Sequence, residues 1–241
     1  MLATSRSYNV TWDLLPDDAV LPDEPVDKIN QPALAAALTE SLQLAGRLPE
    51  TALASTNYGI CATLDGQLVI KAPDWAFMNI TVTREEVVRS YTPNLQGDPP
   101  VLVLEFLSNQ AAEEYSIKET YPPGKFFFYE KILQVPNYGI FDLESGSLEL
   151  YRLDENQAYQ LDSADENGRF WIPQMELFLG SWRGCRENRD SWWLRWWDEQ
   201  EQLLLWGIEQ VERERQRADA EQQRAERLLA QLRAAGLDPE D

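Results

Sequence analysis

The sequence predicts an α/β sandwich, a mixed sheet flanked by helices, followed by one long C-terminal helix. Three observations carry this: a helical leucine pattern precedes several short apolar runs bounded by turn residues, a second helical pattern interrupts those runs, and the composition turns to Glu, Gln, Arg and Leu towards the C-terminus. With 241 residues, 44% of them hydrophobic and nine of them Trp, the chain is long enough for one well-buried domain and an appendage.

In chain order, residues 1–30 read as an irregular arm, because Asn9 to Val26 is rich in Asp, Pro and Leu with weak periodicity. From Gln31 a helix is expected: Pro32 suits a first-turn position, and Leu34, Leu38 and Leu42 recur four apart. Strands are expected at Ile60 to Leu64, Gln67 to Lys71, Trp75 to Thr83 and the strongly apolar Val101 to Leu107, with turns such as Asp65-Gly66 between them. A helix starts after Pro122-Pro123-Gly124, where Lys125, Phe128, Tyr129, Ile132 and Leu133 keep three- and four-residue spacings. Further strands follow at Tyr138 to Asp142, Ser147 to Leu153 and Gln157 to Leu161, with Glu144-Ser145-Gly146 as a hairpin turn.

The shift to small and charged residues over Arg183 to Asp190 places a domain boundary there, so the division is 1–30, 31–185 and 186–241. In the last segment Leu204, Val211, Ala218, Ala225 and Leu232 recur every seven residues, interleaved with Ile208, Arg215, Gln222 and Leu229. This register suits a coiled coil pairing two copies into a homodimer, or a helix folded back on its own domain. Trp192, Trp193, Trp196 and Trp197 fall on one side of that expected helix and suit an anchoring contact.

Composition excludes several chemistries. The chain has no histidine, which removes Ser-His-Asp and Cys-His triads, H-E-x-x-H metalloproteases and His-ligated zinc. Its two cysteines, Cys61 and Cys185, are too few for a disulfide scaffold or a cysteine zinc site and read as core thiols. No run of eighteen apolar residues occurs and Met1 to Val10 lacks the apolar stretch of a signal peptide, so a cytoplasmic protein without a membrane partner is expected. The net charge of −20 argues against a basic face over the whole molecule.

Among the residues left, Glu105 stands out. It lies inside an otherwise apolar strand, where an uncompensated carboxylate would be very costly, so a metal ion, a lysine or an edge open to water must satisfy it. Asp74 opens the preceding strand, where pairing of neighbouring strands would bring the two carboxylates together; an Asp after Pro is also a common turn residue. Two such acids, with the Phe106 main-chain carbonyl, would suit Mg2+ or Mn2+. Lys125, one helix on, could reach that site and stabilise charge on a phosphate, or could lay its stem over Phe126, Phe127 and Phe128. Glu40 is a further candidate acid.

Taken together, Ala72-Pro73-Asp74, Val103-Leu104-Glu105-Phe106-Leu107-Ser108, Lys125 with Tyr129, and Val135 to Asp142 resemble a large bacterial restriction-endonuclease-like family, formerly a domain of unknown function, of the PD-(D/E)XK nuclease superfamily. The similarity spans roughly Gln31 to Leu153. It implies a restriction-endonuclease-like fold, Asp74 and Glu105 as metal ligands, Lys125 as the assisting lysine with Lys118 as its rival, and hydrolysis of nucleic acid, DNA in particular. The chain departs from the pattern at Leu107, where the superfamily motif has lysine, at Asn30 and Gln31, where relatives often carry histidine, and at Pro100-Val101, where an Asp is common. The alternative reading is an inactive nuclease fold serving as a dimerising interaction module.

Overall fold

The structure, a computed structural model, describes residues 8–14, 30–107 and 114–235. It divides into two units, Met1–Leu204 and Leu205–Asp241. The first unit runs β1 (Val10–Thr11), α1 (Asn30–Leu44), β2 (Ala52–Ser55), β3 (Ile60–Leu64), β4 (Gln67–Lys71), β5 (Trp75–Asn79), β6 (Leu102–Phe106), α2 (Lys125–Phe127), β7 (Asn137–Phe141), β8 (Leu148–Leu153), β9 (Tyr159–Leu161), β10 (Arg169–Ile172), β11 (Leu177–Arg186) and β12 (Arg189–Trp197). α2 continues directly into a π-helical turn, Phe128–Ile132.

A six-stranded mixed sheet, in the order β2-β5-β6-β7-β8-β9, forms the centre. Only its β6–β7 neighbours are parallel among the described pairs. Parallel strands cannot be joined by a tight turn, and the crossover between β6 and β7 is what brings α2 onto the sheet. Side chains alternate across each strand, so Val103 and Glu105 share one face while Leu102, Leu104 and Phe106 share the other.

On the Glu105 face, Val103, Ala76, Met78, Tyr138 and Ile140 pack with Ile60, Ala62 and Leu64 of β3 and with Phe128 and Tyr129. On the opposite face α1 is held by tryptophans: the Trp75 indole donates to Thr39 Oγ1 at 2.9 Å, and that of Trp196 donates to the Leu38 carbonyl at 3.2 Å. Leu34, Leu38 and Leu42 are fully buried beneath it. Each contributes roughly 1.5–3 kcal/mol relative to an exposed side chain.

The mixed sheet, the first helix and the turn at Asp65-Gly66, with φ of 51° and 78°, match the sequence reading. Several elements differ from it. The expected strand from Trp75 stops at Asn79. Val10 and Thr11, read as part of an irregular arm, pair with Leu64 and Thr63; residues 1–7 and 15–29 of that arm lie outside the described residues.

The larger correction concerns residues 177–206. The tryptophan run is strand β12, not helix, and Trp192, Trp193, Trp196 and Trp197 therefore point to both sides of a sheet ordered β10-β11-β12. The small and charged stretch around Arg183 to Asp190 is a tight hairpin in which Arg186 faces Arg189, and Glu187 and Asn188 both adopt left-handed backbone, φ 52° and 60°. Cys185, expected in the core, is exposed on this hairpin, while Cys61 is buried as expected.

The second unit is α3 (Gly207–Ala234), a helix of 28 residues with none buried. It starts at Gly207 rather than near residue 186, with the Trp206 N–H donating to Glu209 Oε2 at 2.8 Å. Leu204, the first member of the seven-residue repeat, lies before it.

Candidate active site

Strand pairing creates the site. β5 and β6 run antiparallel with Trp75 opposite Leu104, so the next step in the same register sets Asp74 beside Glu105. There the main-chain ladder gives way to side chains. The Phe106 N–H donates to Asp74 Oδ2 at 2.6 Å, a short bond of the kind a charged acceptor makes, and the Phe106 carbonyl accepts from Gln31 Nε2 at 2.9 Å. α1 and β5 thus clamp the C-terminal end of β6.

Glu105 is fully buried, and both of its oxygens are engaged. Lys125 Nζ donates to Oε2 and the Tyr129 hydroxyl donates to Oε1, each at 3.0 Å. Lys125 and Tyr129 stand four residues apart, which puts them on one side of the helical turn facing the sheet. Gly124 lets this turn begin where it does: a Cβ there would lie 2.1 Å from the Ser116 carbonyl oxygen, so a larger residue would push Lys125 away.

A third carboxylate completes the cluster. Glu114 is 8% exposed, its Oε1 lies 3.8 Å from Lys125 Nζ, and its buried Oε2 has no hydrogen-bond partner among the described residues.

Three carboxylates thus surround one ammonium. Burial pushes the Glu105 carboxyl up to about 8, and proximity of Asp74 pushes the same way against the opposing pull of Lys125. Burial also raises Asp74, offset in part by the Phe106 N–H and by Lys125. For Lys125 burial works against the charge, but Glu105, Asp74 and Glu114 outweigh it and hold the ammonium charged. Burial foremost, then Glu105, raises Tyr129 well above the usual tyrosine range, so it remains a hydrogen-bond donor.

The residues singled out in the sequence meet here: Asp74, Glu105 and Lys125 converge, and Phe106 bridges Asp74 and Gln31 through its main chain. Lys118 is exposed on the loop before α2, where its carbonyl accepts from Gly124 N–H at 2.9 Å. Glu40 is elsewhere, paired with Arg186 Nη2 at 2.7 Å.

Three participants were not assigned a role from sequence. Tyr129 was visible as the residue four beyond Lys125, and Gln31 as a departure from a resembled pattern. Glu114 carried no signal, since it belongs to no periodic segment.

The donor set suits a hard divalent cation. The buried Glu105 carboxylate beside the part-buried Asp74, a main-chain carbonyl with a second lone pair, and a buried Glu114 oxygen without a partner among the described residues place three acids around one lysine. Among the described residues no group of three or more His, Cys, Asp or Glu side chains is arranged to hold a metal ion. Any cation would therefore rest on the Asp74–Glu105 pair and complete its shell with water and substrate oxygens, as Mg2+ commonly does.

The family model described as "Uma2: Putative restriction endonuclease" matches residues 14–183. Among solved structures, the chain is similar to one described as a "putative nuclease belonging to DUF820" from Anabaena variabilis ATCC 29413, with 13% sequence identity, 64% of this chain and 78% of that chain covered, and a TM-score of 0.39. No curated protein matches the chain. Among the described residues no helix is long and apolar enough to cross a membrane.

Proposed function

The chain belongs to the Uma2 "putative restriction endonuclease" family, and from that premise we propose that it is a Mg2+- or Mn2+-dependent endonuclease that hydrolyses DNA. The observation that carries this reading is the convergence of Asp74, Glu105 and Lys125, drawn from three separate segments, at one end of the parallel strand pair.

In this reading Asp74 and Glu105 hold the cation, with the Phe106 carbonyl able to add an oxygen. A bound divalent cation supplies Lewis-acid polarisation of a phosphoryl oxygen and a lowered pKa for water. The chain's own residues do the rest. Lys125 presents an ammonium beside the Asp74–Glu105 pair, where negative charge builds on the phosphate as water adds and the leaving oxygen departs. Tyr129 holds the Glu105 carboxylate in one orientation through Oε1. The buried floor of β5, β6 and β7 keeps bulk water from weakening these interactions.

We further propose that α3 pairs two copies of the chain, in the cytoplasm. Ile208, Val211, Leu228, Leu229 and Leu232 are exposed on it, and a helix with such residues gains by covering them.

Titration of Mn2+ into the wild type, Asp74→Ala and Glu105→Ala, followed by plasmid nicking under the same conditions, tests the enzyme. Binding and nicking by the wild type, both lost in the variants, is expected. Nicking that survives in both variants overturns the assignment of the site, and absence of both binding and nicking in the wild type promotes the interaction module instead.

A further inference from the structure

Lys125 has two carboxylates within reach and uses only one of them fully. Its ammonium sits 3.0 Å from Glu105 Oε2 and 3.8 Å from Glu114 Oε1. Both Glu105 oxygens already accept a hydrogen bond, Oε2 from Lys125 and Oε1 from Tyr129. The Glu114 Oε2 is buried and has no hydrogen-bond partner among the described residues.

We propose that Glu114 is a positioning residue, the second seat of the Lys125 ammonium, which crosses to it when a divalent cation takes Glu105. This inference rests on the metal-dependent reading of the site and deepens it.

A dication and an ammonium drawing on the same carboxylate oxygen repel each other strongly in a buried, low-dielectric site, so cation uptake requires the lysine to move or to be paid for in affinity. The movement needed is small, since closing 3.8 Å to hydrogen-bond length takes only about 1 Å of travel by a flexible stem. The destination is under-compensated, because Glu114 is buried, its Oε1 is the oxygen the ammonium approaches, and its Oε2 has no hydrogen-bond partner among the described residues, so the carboxylate as a whole gains from an arriving ammonium. The displaced ammonium also stays beside the Asp74–Glu105 pair rather than leaving for solvent, where it would be useless to a phosphate. Glu114 acts through Lys125 and not as a ligand, in keeping with the lack of a three-carboxylate metal group among the described residues.

The test is a double-mutant cycle read as Mn2+ affinity by calorimetry in the full chain: wild type, Glu114→Gln, Lys125→Met and the double variant. Glu114→Gln strands the lysine on Glu105 and should weaken Mn2+ binding by about tenfold. With Lys125 already removed, the same substitution should change affinity less than threefold. Equal losses in both backgrounds would make Glu114 a direct donor to the cation, and no loss in either would make it structural; each overturns the hand-over while leaving the metal site standing. No Mn2+ uptake by the wild type would overturn the metal reading and the hand-over together.

Should Lys125→Met not fold, 15N-lysine-labelled wild type and Glu114→Gln serve. Mg2+ should shift the Lys125 ammonium resonance in the wild type and leave it unmoved in Glu114→Gln. An identical shift in both overturns the proposal.

Discussion

Replacing Lys125 by Met removes the ammonium and keeps most of the stem, so it isolates the electrostatics of the buried cluster. In the wild type Glu105 is fully buried with its carboxyl raised to about 8 from an ordinary 4.5. A carboxyl raised on folding contributes stability that is complete below about 4.5 and is lost as pH climbs through the folded value. In the wild type this loss ends near pH 8, once Glu105 is ionised against Lys125. In Lys125→Met nothing pairs the charge, the folded carboxyl rises further, and the loss continues. Other titrating groups largely cancel in the difference between the two proteins. That difference should be flat from pH 6 to about 8 and then widen by about 1.4 kcal/mol per pH unit, towards the roughly 3–5 kcal/mol typical of a buried charge stripped of its partner. Urea unfolding of both proteins without metal, followed by tryptophan fluorescence at half-unit steps from pH 6 to 9.5, measures it. A gap that stays constant above pH 8, or narrows, would refute the claim that Lys125 is what permits Glu105 to ionise in the folded chain.

Three further outcomes follow from the same geometry. Because Glu105 is raised to about 8, Mn2+ uptake at pH 7 should release close to one proton and uptake above pH 8 progressively fewer, which calorimetry in buffers of differing ionisation enthalpy detects; release that does not vary with pH counts against Glu105 as a ligand. Gln31→Ala leaves the buried Phe106 carbonyl without its donor and should cost about 1–3 kcal/mol in urea unfolding, whereas a neutral result would mean that water replaces the amide. Val211→Glu combined with Leu229→Glu on α3 should convert a sedimenting dimer to a monomer without lowering the thermal midpoint of the first unit, and an unchanged mass would remove α3 as the pairing element.

The site was readable from sequence where burial and chemistry conflicted. Glu105 in an apolar strand demanded a partner, and the structure supplies Lys125 and Tyr129 from the crossover helix. Asp74 could be placed because antiparallel neighbours bring the start of one strand to the end of the next. Glu114 could not, since a residue in an aperiodic loop acquires meaning only when the chain folds back to it. The tryptophan run failed for a different reason. β12 is buried on both faces, so the alternation that marks a half-exposed strand is absent, and tryptophans at 192, 193, 196 and 197 imitate helical spacing. The hairpin before it hides its turn as well. Its left-handed positions are Glu187 and Asn188, and without glycine at either the tight turn leaves little trace in composition.

Stability alone gives no reason for the Asp74, Glu105, Glu114 and Lys125 cluster. Exchanging a buried ionic group for well-packed apolar side chains is often neutral or stabilising by about 1–4 kcal/mol. Here the balance is worse than that of a simple ion pair, because three acids face one lysine and the Glu114 Oε2 gains no hydrogen bond among the described residues. The surroundings could accommodate an apolar alternative, since Val103, Tyr138 and Ile140 already line the same face of the sheet. The cost falls at the end of the parallel pair, where the Phe106 main chain is held from both sides by Asp74 and Gln31 and the carboxylates are fixed in place. A rigid, over-acidic and partly unsatisfied group of this kind is what binding a cation would complete, and its strained electrostatics set it apart from the well-satisfied core around it.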